Sequence, residues 1–482
     1  VKARLIAVVC AGSMLAGCVT PPHLGPAVQP KPASSYATAQ TFAAASADWP
    51  SDHWWEAYGD PQLTALIAEG LAGSPTLAQG AARLRRAQAL ADLSASTLLP
   101  SVSADASASL MKPSTENGIP VTPERRGYND FAKASLGFAW ELDFWGKNRA
   151  SLAASTSEAY AAAADSAAAR LLLSATIAAT YADLARLFAD RDVVAGTLAV
   201  RERSLALVRA RFVHGFDSAA DLAQAEAGPP AARSDLAGVD EAIALARNRL
   251  AALLGAGPDR GRSIGRPASP HLAPLALPAR ISTELLARRP EVVAARWRAE
   301  AAARRIDVAH AQFYPNINLL GFLGFDALGL QNIVTGGADT GSLGAVVSLP
   351  IFDGGRRRAG YSAARSEYEV AVAAYNEVVT QSLRDVADAV GSRAQLARQQ
   401  AGAAEALDAT ERAYRLAELR YRSGADDYQS VLLVEDRLLA RRRIVTNLQS
   451  RGFILDIALV RALGGGFVGD QKQADRRIEM RE

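Results

Sequence analysis

The side chains of this 482-residue chain that could do chemistry gather around two glycines at the ends of helical runs. One set is Arg211-Phe212-Val213-His214-Gly215, with Asp217 and Asp221 beyond it. The other is Arg420-Tyr421-Arg422-Ser423-Gly424, followed by Asp426, Asp427, Glu435 and Asp436. Carboxylates, guanidinium groups and a phenol so placed can pair, cap a helix, or stand as ordinary solvated charges. Bond-making chemistry finds no support. The five histidines (His23, His53, His214, His271 and His310) lack metal-ligand spacing, and there is no Gly-rich phosphate loop and no nucleophile elbow. The chain reads as a non-enzyme with no metal or cofactor. A net charge of +3, with no Lys/Arg run interleaved with aromatics, argues against nucleic acid as a partner.

The elements that carry these residues occur twice. Pro75 and Pro100 bracket a helical run rich in Ala and Arg, and Pro290 and Pro315 bracket another one 215 residues later. Gly215 returns as Gly424 after 209 residues, and Phe144-Trp145-Gly146-Lys147 returns as Phe352-Asp353-Gly354-Gly355. Order and spacing both survive, so the unit is duplicated, at a period too long for a solenoid. Each half reads helix, strand, strand, very long helix, turn, helix. The fold class is therefore mainly α with a small β part. Helix is expected from about 148 to 212 and from about 356 to 423; some 65 residues reach roughly 100 Å. The apolar positions there are mostly Ala with scattered Leu and Val, which suits close side-by-side packing. Return helices follow at about 219–254 and 428–463. Ala227-Gly228-Pro229-Pro230 falls inside the first, where a kink or local unwinding is expected.

The strands alternate strictly. Leu136, Phe138, Trp140, Leu142 and Phe144 share one face, against Gly137, Ala139, Glu141 and Asp143; Leu343, Ala345, Val347, Leu349 and Ile351 repeat the pattern. Each strand is about 10 residues long, enough to cross a bilayer when tilted. Four strands cannot close a barrel, whose minimum is about eight, and lipid forbids an open edge. If they span a membrane, several chains must share one barrel. A packed soluble core would also explain the alternation.

The N-terminal run, with Lys2 and Arg4 before an apolar stretch and then Leu15-Ala16-Gly17-Cys18, has the form of a secretory signal peptide with a lipobox. The expected organisation is a lipoprotein signal peptide at 1–17 and a lipidated Pro-rich tether at 18–50, extended or disordered. A first repeat at 51–255, a linker at 256–280, a second repeat at 281–463 and a charged disordered tail at 464–482 complete it.

Together these features resemble the TolC-like outer-membrane factors, in their lipoprotein (NodT-type) branch. The resemblance rests on Leu15-Ala16-Gly17-Cys18, Trp54-Trp55 through Gly59-Asp60-Pro61, Leu99-Pro100, Trp140 to Gly146, Arg289-Pro290-Glu291, Phe313-Tyr314-Pro315, Leu349 to Gly355, and Arg420-Tyr421 with Gly424. It implies a homotrimer whose twelve strands close one outer-membrane β-barrel above a long periplasmic α-helical barrel. The implied function is a passive exit duct for drugs or other small molecules, worked by an inner-membrane pump through a periplasmic adaptor protein. An exit duct for type I protein secretion, or a structural coiled-coil lipoprotein of the envelope, would be the alternatives.

By the same resemblance, Cys18 is the lipidation site in the outer membrane, with Val19 after it rather than Asp. The gate at the periplasmic end would draw on Arg420, Tyr421, Asp426, Asp427, Leu433, Glu435 and Asp436. Leu433 stands where many members place an acidic ring residue, so that ring is either missing here or moved to Asp436. Gly215 and Gly424 would form the tips on which the adaptor docks. Glu141 and Asp143 would face the barrel lumen, and Phe138, Trp140 and Trp145 the lipid or its aromatic girdle.

Overall fold

The computed structural model describes residues 21–38, 40–42, 48–268 and 281–468, with 281–284 as backbone only. Cys18 and the signal-peptide region lie outside the described residues, as do residues 269–280 of the linker and the tail from 469. Helices α1 (Pro61–Gly73) and α2 (Pro75–Ser96) precede strands β1 (Ser101–Met111) and β2 (Asn129–Leu142). Next come α3 (Lys147–Val213), α4 (Ala219–Leu253) and the short α5 (Pro258–Arg262). The second half supplies α6 (Ile281–Arg288), α7 (Pro290–Ala311), β3 (Asn316–Leu328), β4 (Asp339–Ser348), α8 (Arg356–Arg422) and α9 (Tyr428–Ala462). Both long helices have 67 residues and both return helices 35.

By chain contact the protein divides into two units. The first holds residues 21–30, Arg83–Ala162 and Ala295–Tyr375, and so contains the whole sheet. That sheet is antiparallel in the order β1-β2-β3-β4, and the β2–β3 pairing joins the two halves of the duplication. The register sorts its faces. Val102 lies opposite Phe138, Leu136 opposite Leu323, Trp140 opposite Leu319, and Ile317 opposite Val347, which gathers large apolar residues on one face, although Phe131, Leu320, Phe322 and Val346 lie on the other. Ser103, Asp105, Ser107, Lys133, Ser135, Glu141, Asn318 and Ser342 occupy the other. Strands β1 and β4 each keep one unpaired edge. Below the sheet, the Trp145 ring stacks on Tyr314 at 4.7 Å and its indole N–H donates to the Pro315 carbonyl at 2.8 Å. The Trp140 indole donates to the Leu98 carbonyl at 3.0 Å.

The second unit holds the described residues of Lys31–Ala82 and Ala163–Ala294, with residues 376–468. Asp60 caps α1 by accepting from the backbone N–H groups of Gln62 and Leu63, with Pro61 in the first turn. Leu63, Leu66, Ile67 and Gly70 then form a stripe at helical spacing that is buried in the core with Ile177, Leu184 and Leu250. The α3 helix contains one 18-residue window apolar enough to cross a membrane by length and composition, but 61% of that window is buried inside the structure. Its apolar character belongs to this core.

Three expectations need correction. Helix α4 runs continuously through Pro229 and Pro230. Each proline removes a backbone donor, at about 3 kcal/mol in a helix interior, yet burial of Gly228 and Pro229 holds the segment helical. The Pro-rich tether is docked where it is described, with a short helical turn at Ala33–Ser35. Ala27 packs with Ala302, Tyr368 and Val372 in the first unit. In the second, the Lys31 N–H donates to Asn376 Oδ1 at 3.0 Å and Phe42 packs beside Leu285 and Leu459. A proline-stiffened segment has less entropy to lose on docking than a flexible one. Finally, the charged tail begins later than 464. Gly464-Gly465-Gly466 takes positive φ throughout and lies against Arg288, Leu171 and Ser51, where a side chain would collide.

Candidate functional site

The two glycine turns at the ends of α3 and α8 are built alike. Gly215 and Gly424 both have φ +74°, the left-handed conformation that glycine adopts without steric penalty. The N–H of Phe216 reaches back to the Arg211 carbonyl and that of Ala425 to the Arg420 carbonyl, each at 2.9 Å, closing both helices by the same backbone motif. On the far side of the turns, Ser218 and Asp221 form a reciprocal capping box on α4. Asp427 caps α9 by accepting from the Ser430 N–H at 2.9 Å, and that bond holds its carboxyl below the usual aspartate range.

Side chains lock one turn to the other. Arg211 Nε donates to both Asp217 oxygens at 3.0 and 3.1 Å, and its Nη1 donates to the Tyr421 carbonyl at 3.2 Å. The Tyr421 hydroxyl donates to Asp217 Oδ2 at 2.6 Å, while the Arg211 guanidinium sits 4.5 Å from the centre of the Tyr421 ring. Burial, then the Asp217 carboxylate, push the Tyr421 hydroxyl's pKa well up, so it remains a donor. Around this knot pack Val208, Ala225, Tyr428 and Val431. Arg420 instead pairs with Asp426 in its own turn, at 3.4 Å and largely exposed.

Further along α9, the acidic pair divides. Asp436 is exposed but accepts from Arg201 Nη2 of α3 at 2.7 Å. Glu435 is only 2% exposed and meets Arg201 Nε at 3.3 Å, without hydrogen-bond alignment on either oxygen. Leu433 is exposed, at 55%. Of the expected gate residues, then, Tyr421 joins a lock with Arg211 and Asp217, Glu435 and Asp436 share Arg201, Arg420 and Asp426 pair locally, and Asp427 is a cap. Arg201 and Arg211 carried no assigned role in the sequence, because their partners lie on remote parts of the chain.

Burial is the main cause that raises the Glu435 carboxyl above its usual range; Arg201 opposes the shift and Asp436 adds to it. A buried acid with a raised pKa contributes its stability fully below the unfolded value, and that contribution is lost as pH rises through the folded value. The wild-type protein should therefore lose melting temperature relative to Glu435→Gln as pH rises from about 4 to 7. Thermal unfolding of both proteins across that range checks it; parallel curves would mean the group does not titrate in the fold.

At the sheet, Glu141 lies on the polar face and pairs with Lys147. Asp143 lies beyond the end of β2, so the expectation that it faces the lumen from the strand is corrected. It accepts from the backbone N–H groups of Asn148 and Arg149 at 3.0 and 2.9 Å and so starts α3. Period-two alternation carries through Asp143, but the first turn of α3 needed an acceptor.

A four-stranded sheet with one mainly apolar face and two unpaired edges, each of its strand pairs leading into a helix of 67 residues, fits a subunit of an outer-membrane channel. The coiled-coil spacer reading has no use for such a sheet. Residues 66–256 and 281–465 each match the outer membrane efflux protein family, one match per half of the duplication. The fusaric acid resistance protein FusA of Burkholderia cepacia is 37% identical over 374 residues, covering 75% of this chain and 69% of that protein. The multidrug resistance outer membrane protein MdtP of Escherichia coli K12 is 31% identical over 431 residues, 88% of each chain. The crystal structure of the outer membrane protein VceC from Vibrio cholerae covers 87% of this chain and 100% of its own, with 41% identity and a TM-score of 0.82. This chain belongs to the outer membrane efflux protein family. It is the outer-membrane channel component of an efflux system.

Proposed function

We propose that three copies of this chain close one twelve-stranded barrel, anchored by lipid on Cys18, to form a passive exit duct for drugs or related small molecules. The observation that carries it is the four-stranded sheet with a lipid-compatible face and two open edges. In hydrocarbon each open edge must find a partner, and the β1 edge of one copy can take the β4 edge of the next. The names of FusA and MdtP, which refer to fusaric acid and multidrug resistance, support an efflux cargo. An inner-membrane pump supplies the energy, and a periplasmic adaptor docks on the Gly215 and Gly424 turns, where Val213 and Phe216 stand exposed. The Arg211–Asp217–Tyr421 lock keeps that end closed between transport events.

Native mass determination followed by planar-bilayer recording of the detergent-purified protein tests this reading. The expected result is a trimer giving discrete conductance steps. A monomer with no conductance would overturn it.

A further inference from the structure

The Gly228-Pro229-Pro230 run of α4 has no counterpart in the second half, and the gate as described makes no use of it. Its neighbour is Arg201 of α3. A Cβ added to Gly228 would lie 3.2 Å from Arg201 Cδ, 3.5 Å from its Cβ and 3.6 Å from its Cγ. The glycine thus lets the aliphatic part of Arg201 lie close against the α4 backbone. From that seat the guanidinium reaches α9, where Asp436 accepts at 2.7 Å and buried Glu435 sits 3.3 Å away. Glu435 has no other ion-pair partner among the described residues. One side chain therefore touches α3, α4 and α9. The two prolines remove the intrahelical donors to the carbonyls of residues 225 and 226, so α4 is locally weakest where Arg201 crosses it.

We propose that Arg201, seated on Gly228 and joined to Glu435 and Asp436, is a second lock of the tip, separate from the Arg211–Asp217–Tyr421 knot. This rests on the reading of the tip as the gate. Opening moves α8 and α9 away from α3 and α4, and it must break both locks. The groups that face Glu435 fit that role. From α3 comes Arg201, from α9 Asp436 and Tyr428, and from α8 Tyr414, itself within the field of Arg203, Glu418 and Arg422. Arg201 is the cation in direct contact with the Glu435 carboxylate. Removing it leaves a buried, uncompensated charge that the closed tip cannot hold.

The test is single-channel recording of trimers, confirmed by native mass, of wild type, Arg201→Ala, Arg201→Met, Glu435→Gln and the double variant Arg201→Ala/Glu435→Gln. Arg201→Met keeps the aliphatic chain on Gly228 and carries the test if Arg201→Ala does not assemble. Both arginine variants should raise the open fraction by about tenfold or more, since removing one partner of a buried pair leaves the other exposed to the full desolvation penalty. Glu435→Gln keeps the Arg201–Asp436 bond and should raise the open fraction by less than either arginine variant, and the double variant should fall well below Arg201→Ala because no buried carboxylate is then left without its cation. Arginine variants that conduct like wild type, or a double variant as open as the single one, would overturn the proposal. Arg211→Ala, recorded alongside, separates the two readings. If it opens the channel and the Arg201 variants do not, the second lock alone falls. If neither opens it, the gate at the tip falls with it.

Discussion

Arg211→Ala should open the closed channel more than any other single change at the turns. Arg211 gives Asp217 two hydrogen bonds and Tyr421 a third, and the Asp217 side chain is only 7% exposed. Truncating the arginine leaves a carboxylate buried beside a phenol with no cation, a loss of about 3–5 kcal/mol for one partner of a buried pair. Tyr421→Phe removes one hydrogen bond to a charged acceptor, about 1.5–3 kcal/mol, and leaves the ion pair standing. Conductance of the purified trimer should therefore rise in the order wild type, Tyr421→Phe, Arg211→Ala. Equal conductance of all three would remove the knot from the gate and turn attention to exposed Leu433.

The second large effect is expected at the sheet. Leu323 lies near the middle of β3, opposite Leu136 on the apolar face. Arginine there would meet hydrocarbon at a cost of about 2–4 kcal/mol per copy near the bilayer midplane, incurred three times in a trimer. Leu323→Arg should abolish insertion, read as loss of trimer from the outer-membrane fraction. Ser107 lies on the other face, opposite Lys133. Ser107→Arg should assemble normally and shift ion selectivity toward anions. Loss of trimer in both variants, or in neither, would show that the two faces do not separate lipid from lumen.

These two experiments probe features with different origins. The faces of the strands were readable locally, because alternation between Leu136 and Leu142 has a period of two whatever lies across the sheet. The helix ends were readable too. Glycines 215 and 424 and prolines 75 and 290 mark boundaries within a residue or two of those observed. Local rules failed where a neighbour outweighed them. Pro229 and Pro230 should have interrupted α4, but burial against the rest of the tip keeps it helical. Asp143 continued the strand pattern, but the backbone N–H groups of Asn148 and Arg149 claimed its carboxylate. The tether has few large apolar groups, yet Ala27 and Phe42 pack against buried clusters and Lys31 bonds to Asn376.

By itself, the sequence determined the duplication, the order and length of the elements, and the mismatch between four strands and a closed barrel. All of these follow from periodicity and spacing along the chain. Only the tertiary structure decided which side chains meet. Tyr421 and Asp217 are 204 residues apart, and Arg201 and Asp436 are 235 apart. Their pairing depends on how α3 and α4 are rotated against α8 and α9. That rotation comes from packing summed over many small residues, and no short stretch of sequence records it.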